Sequence, residues 1–238
     1  MIILSKKLCF IVVSVLLTVG ILANLVGVAN SVVASPMREY CVVIDAGHGG
    51  IDGGTVGVDS GVSESDLNLL VANELRDYME NNFYVTMTRT TRDGLYGDTS
   101  AGFKRRDMTR RREIISEARA DVVISIHMNR FASSTRRGAQ ACYQKGDEKS
   151  RALAVRVQRL LDDHLNIPIL GRGFEPIAGE YYILKSSDSP GVIVECGFLS
   201  SPLDDALMNT VEHRRRIAYI IYSATVSYLA DNNDEKYN

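Results

Sequence analysis

Cys41-Val42-Val43-Ile44-Asp45-Ala46-Gly47-His48-Gly49-Gly50 joins an apolar four-residue run to an acid, a histidine and three glycines. A short run rich in β-branched residues that stops at glycine reads as a buried strand, because nothing in it keeps a 3.6-residue period. The glycines flanking His48 let the backbone bend sharply and leave the imidazole accessible. The period then changes. From about Ser65 to Glu80, Leu67, Val71, Leu75 and Tyr78 fall on one helical face. Ser63 and Asp66 form a candidate capping box at its start.

Outward from this strand-loop-helix unit the alternation continues. Strands are expected over 84–88, over 122–126 running into His127, over 139–143, over 182–184 and over 192–194. Helices are expected over 104–118, over 150–164 with Leu153, Val157, Leu160 and Leu161 inward, and over 212–229. A loop holding Gly171, Gly173, Pro176 and Gly179 precedes the 182–184 strand. Such alternation predicts an α/β fold, a mostly parallel central sheet flanked by helices. No internal repeat or low-complexity tract divides it. The catalytic domain is placed at 36–230, with a polar tail over 231–238.

Residues 1–35 differ in kind. Lys6 and Lys7 precede an apolar run from Leu8 to Ala29, and Val32-Val33-Ala34 precedes Ser35 with the small-residue character of a cleavage site. The run is also long enough to span a bilayer, so it is read as a signal peptide or a membrane anchor. Either places the working domain outside the cytoplasm. A formal charge of −2 leaves no surplus of cations for counterion release, which excludes nucleic acid as a partner. Of the four cysteines, Cys9 lies in the leader, and the odd number left argues against a disulfide framework.

Four residues carry candidate chemistry. His48 follows the first strand, Glu64 opens the first helix, and His127 follows the apolar third strand within Ser125-Ile126-His127-Met128-Asn129. Two histidines and a carboxylate make a three-ligand zinc set with one position open. Zinc so held lowers the pKa of water and polarises a carbonyl. Glu195, after Gly191-Val192-Ile193-Val194, should emerge at the same rim as a general base.

Together, Asp45-Ala46-Gly47-His48-Gly49-Gly50, Glu64, Thr88-Arg89, Ser125 to Asn129 and Val194-Glu195-Cys196-Gly197-Phe198-Leu199 resemble the successive motifs of the zinc-dependent N-acetylmuramoyl-L-alanine amidases. The likeness runs from Cys41 to Leu229. It implies a single domain with a six-stranded sheet, one zinc on His48, Glu64 and His127, and Glu195 as acid/base. The substrate implied is peptidoglycan, cut between N-acetylmuramic acid and L-alanine. Within the family, Gly138-Ala139-Gln140 and the Val157-Gln158 helix resemble the germination-specific amidases of spore cortex, which prepare muramic-δ-lactam. That likeness implies an accessory lipoprotein of the kind some clostridial relatives use. Ser201, Arg130 and Ser116 depart from the usual residues, away from any ligand. A vegetative wall amidase, a zinc endopeptidase or deacetylase, and a non-catalytic wall-binding module are the competing readings.

Blander roles compete elsewhere. Arg89, Asn129 and Arg172 are candidates for substrate contact. The run Arg105, Arg106, Arg110, Arg111, Arg112 reads as a solvated helix face. His164 and His213 read as surface histidines, Cys196 as a packing residue, and Asp45 as either an orienter of His48 or a loop cap.

Overall fold

The computed structural model describes residues 39–186 and 188–236, so the leader expected over 1–35 lies outside the described residues. Six strands form one sheet: β1 Cys41–Ala46, β2 Tyr84–Met87, β3 Val122–Asn129, β4 Gln140–Gln144, β5 Ile177–Gly179 and β6 Gly191–Phe198. Their order is β2-β1-β3-β6-β4-β5, and every neighbouring pair is parallel except β4 with β6. The helices are α1 Glu64–Met79, α2 Phe103–Ala118, α3 Glu148–Leu161, α4 Ile167–Leu170, α5 Pro202–Met208 and α6 Val211–Lys236. A π-helical turn, Asp162–Asn166, joins α3 to α4.

Side-chain alternation divides the sheet between two coverings. Helices α1, α3 and α6 pack together over one face, where Leu67, Val71, Leu75, Leu153, Val157 and Leu161 are fully buried. Burying each such side chain contributes about 1.5–3 kcal/mol. The other face carries less cover. There Val43, Val123 and Ile193 meet Ile115 of α2 and Ile183 and Leu184 of a 3-10 turn. Asp45, Ser125, His127 and Glu195 continue the rows of Val43, Val123 and Ile193 toward the C-terminal ends of their strands. The chemical residues therefore lie on the thinly covered face.

Three expectations are corrected. The strand expected over 182–184 is a turn with a 3-10 segment at Leu184–Ser186, and the fifth strand is Ile177–Gly179. Ile183 and Leu184 bury their side chains without a ladder, so a β-like run of this length met its packing need from a turn. Glu195 does not end its strand: β6 continues to Phe198, and an irregularity in register follows His127↔Glu195, with Asn129 facing Phe198. Such bulges re-aim side chains beside active sites. The capping box is half formed, with Ser63 Oγ accepting from the Asp66 amide at 3.3 Å.

Where β5 is too short to cover β4, side chains replace it. The Ala139 amide donates to Asn166 Oδ1 at 2.9 Å and the Ala141 amide to Gln158 Oε1 at 2.7 Å. Amides on the α3 side thus satisfy backbone donors that a longer edge strand would have paired.

Candidate metal centre and cleft

Three side chains from three elements meet at one point. His48 stands in the loop after β1, Glu64 opens α1, and His127 lies in β3. Glu64 Oε1 is 3.2 Å from His48 Nε2 and 3.0 Å from His127 Nδ1, and the two rings stand edge to face at 5.1 Å. The backbone holds the carboxylate in place: Oε2 accepts from the Thr55 amide at 2.9 Å and Oε1 from the Met128 amide at 3.2 Å. Burial alone would raise the Glu64 pKa, yet the bonds from His127 and His48 hold it well below the usual carboxylate range. Among the described residues this trio is the group of His, Cys, Asp and Glu side chains whose donor atoms converge closely enough for a metal ion.

The loop pays for this convergence in backbone conformation. His48 adopts φ +60°, a left-handed geometry that non-glycine residues rarely take and that clusters at functional sites. Gly47 allows the His127 ring to lie against the loop, since a Cβ there would sit 2.3 Å from the imidazole. Behind the loop, two buried guanidiniums donate to its carbonyls. Arg89 donates to Ala46 O at 2.9 Å, Gly47 O at 3.0 Å, Ser65 O at 2.8 Å and Thr91 O at 2.9 Å. Arg111 donates to Ala46 O at 2.7 Å and to His48 O.

Arg111 corrects the expectation of a solvated arginine face, for it is 1% exposed. It pairs with Asp45 and Asp107 at 2.6 Å each. Asp45 makes no contact with the His48 ring; it accepts from Ser125 Oγ at 2.6 Å and Thr88 Oγ1 at 2.7 Å. Although burial pushes its pKa up, Arg111 and these hydroxyls bring it down to about 2. The other run members stay at the surface, Arg106 bracing the 96–101 loop, Arg110 pairing with Glu113 and Arg112 lying over Tyr182.

Asp52 was missed by the sequence reading. Its Oδ2 lies 3.1 Å from His48 Nδ1 and its Oδ1 3.1 Å from Lys104 Nζ. An acid four residues after a glycine-flanked histidine was the available signal. Burial disfavours the His48 imidazolium, but Glu64 and Asp52 outweigh it and raise the pKa.

Glu195 faces His127 across the β3–β6 ladder, and its buried Oε2 has no hydrogen-bond partner. Burial raises its pKa, opposed by His127 and supported by Glu64. Cys196, its neighbour, points to the opposite face, is buried, and has its thiol pKa raised by that burial. A cleft of about 390 Å³ opens between α2 and the 180–183 segment, lined by His48, Asp52, Lys104, Met108, His127, Tyr181 and Tyr182 among others. Asn129 accepts from the next amide, of Arg130, at 2.7 Å, and Arg130 reaches Thr55 Oγ1 at 3.1 Å. Arg172 lies over Phe174 and does not line this cleft. His164 is exposed as expected, whereas His213 is buried.

A family model described as N-acetylmuramoyl-L-alanine amidase matches residues 42–226, most of the chain and every residue of the centre. The chain belongs to that family. It is 32% identical over 203 residues to the germination-specific N-acetylmuramoyl-L-alanine amidase of Bacillus subtilis, covering 84% of both chains. The CwlD amidase of Clostridioides difficile, solved in complex with the GerS lipoprotein, superposes with a TM-score of 0.74 at 33% identity, covering 80% of this chain and 98% of that one. The catalytic domain of CwlV from Bacillus (Paenibacillus) polymyxa gives a TM-score of 0.67 at 26% identity, over 80% and 98%. The protein is thus an N-acetylmuramoyl-L-alanine amidase, with a peptidoglycan substrate and a His-Glu-His metal-binding group. In this amidase the two histidines of that group line the cleft.

Proposed function

We propose that this amidase is a zinc enzyme of spore-cortex maturation, with His48, Glu64 and His127 as ligands and Glu195 as acid/base. The observation that carries the chemistry is the convergence of one carboxylate and two imidazoles beside a buried carboxylate oxygen that lacks a partner. The donor set fits zinc, which takes nitrogen and oxygen ligands in a three-residue site. When bound, zinc supplies Lewis acidity toward the lactyl carbonyl and a lowered pKa for water. Glu195 takes the proton from the attacking water and returns it to the amine of L-alanine as the amide bond breaks. Its pKa, raised by burial, moves toward the range in which a carboxyl both accepts and gives back a proton. Asp52 orients His48 through Nδ1, a carboxylate–histidine pairing typical of metal centres. Arg89, with its guanidinium bonded to four carbonyls, acts as a brace for the ligand loop; Arg172, which lies outside the cleft, drops out, and Asn129 remains the proposed contact for glycan or peptide.

The spore role rests on the similarity to the germination-specific relative and to the clostridial amidase. An accessory lipoprotein of the GerS type is the proposed partner, and export by the 1–35 segment the proposed route. Mass spectrometry of muropeptides tests both levels. Wall treated with the zinc-loaded protein should yield peptide-free muramic acid and stem peptides with a new L-alanine amino terminus. Cortex from a strain lacking the gene should contain no muramic-δ-lactam; δ-lactam at the parental level would move the protein to a vegetative role.

A further inference from the structure

The cleft contains one exposed cation that the hydrolytic machinery does not use. Lys104 stands at the start of α2, on the wall of the cleft, 66% exposed, with its Nζ 3.1 Å from Asp52 Oδ1. The other cation lining the cleft, Arg111, is buried and paired with two carboxylates. Glu180, across the cleft, is bonded to Lys185 and to Gln144. Lys104 is therefore the solvent-exposed positive charge among the described lining residues. A surface lysine paired with one carboxylate is by itself ordinary. Its distance from the metal-binding His48 is what distinguishes it.

Asp52 connects Lys104 to His48 in two 3.1 Å steps. With standard bond lengths, Lys104 Nζ is no more than about 8 Å from His48 Nδ1. In the substrate, the amide to be cut is followed by L-alanine and then by the second stem residue, an isoglutamate whose α-carboxyl branches from the main chain. Two residues of extended peptide span about 7 Å. A stem peptide leaving the metal centre along the α2 wall brings that α-carboxylate to the lysine. In many walls the same carboxyl is amidated to isoglutamine, which offers no charge. We propose that Lys104 is a specificity-determining residue that reads the free α-carboxylate at the second stem position and so favours isoglutamate over isoglutamine strands.

The inference rests on the cleft being the substrate site. Exposed ion pairs are screened over about 8–10 Å at physiological salt, so the preference should shrink as salt rises, which a packing role for Lys104 would not produce. The test uses zinc-loaded full-length protein and glycan strands carrying isoglutamate or isoglutamine at position two, otherwise identical. kcat/KM is measured for the wild type, and Kd for the same strands with Glu195→Gln. The expected result is about a tenfold preference for isoglutamate at low salt, by the charge-assisted hydrogen-bond magnitude. Lys104→Met should bring the ratio to about one with normal zinc content, and Lys104→Arg should keep most of it. Equal kcat/KM for the two strands in the wild type together with equal Kd in Glu195→Gln, or an undiminished ratio in Lys104→Met, overturns the assignment alone. Failure of the wild type and Glu195→Gln to engage either strand overturns the cleft as substrate site, and the assignment with it.

Discussion

The proposed mechanism assigns metal binding and proton transfer to different side chains of this site, and substitution separates them. Glu195→Gln keeps shape and removes the group that accepts and returns a proton, a step worth 10²- to 10⁴-fold. We expect near-stoichiometric zinc by atomic absorption, an unchanged Tm, and a loss of at least ~100-fold in turnover. Zinc loss in this variant would make Glu195 a fourth ligand. His48→Ala and His127→Ala each leave two ligands, and both metal and activity should be lost together; normal metal content in either variant would remove that histidine from the ligand set. Both histidines were legible in the sequence because each ends or follows an apolar strand run at a sharp change in composition. Asp52 was not, since an acid in a glycine-rich loop reads equally as a turn residue until His48 Nδ1 is seen beside it.

At the level of elements, helical phase decided what a run of like residues concealed. Arg111 belongs to a basic stretch in composition, yet Asp107, Arg111 and Ile115 recur every four residues and form the buried stripe of α2. Ile115, the apolar member, was the signal that the stripe faces inward. Removing one partner from a buried ion pair costs about 3–5 kcal/mol. Arg111→Met should therefore lower the Tm by several degrees and weaken zinc retention, whereas Arg110→Met, at the surface, should leave both as they are. A second element-level effect follows from α6. His213 lies in the first turn of that helix, buried, and its pKa is depressed to about 4 by burial and by Arg216, Arg137 and Arg214, against Asp204. An unfolded chain protonates this histidine near 6.5, so between pH 6.5 and 4 the unfolded state binds more protons. Stability from this group is full above about 6.5 and falls as pH drops toward 4, by on the order of 2–3 kcal/mol. The Tm of His213→Gln should lose that part of the acid slope; an identical slope in both proteins would show that other groups carry it. The fifth strand escaped the sequence because Ile177-Ala178-Gly179 is three residues long and follows a proline.

For the molecule as a whole, the sheet has unequal coverings, three helices on one face and one helix with a turn on the other. The open part of the second face is the cleft, so the α/β alternation that reveals the fold also indicates which ends of the strands carry the site. It does not reveal which face. That depends on the long-range packing of α2 and the 180–183 segment, which no local period records. The buried network of Arg89, Arg111, Asp45, Asn68 and Thr88 holds the ligand loop through contacts that involve no metal. A chelator should accordingly abolish activity while leaving the far-UV circular dichroism and cooperative unfolding in place, unlike a zinc finger, whose fold disappears with its ion. The same network has a consequence for supply. On the proposed zinc mechanism, a chain that folds first and takes its ion afterwards would be stockpiled in a silent form, and the moment of its activation would be set by the arrival of zinc in its compartment.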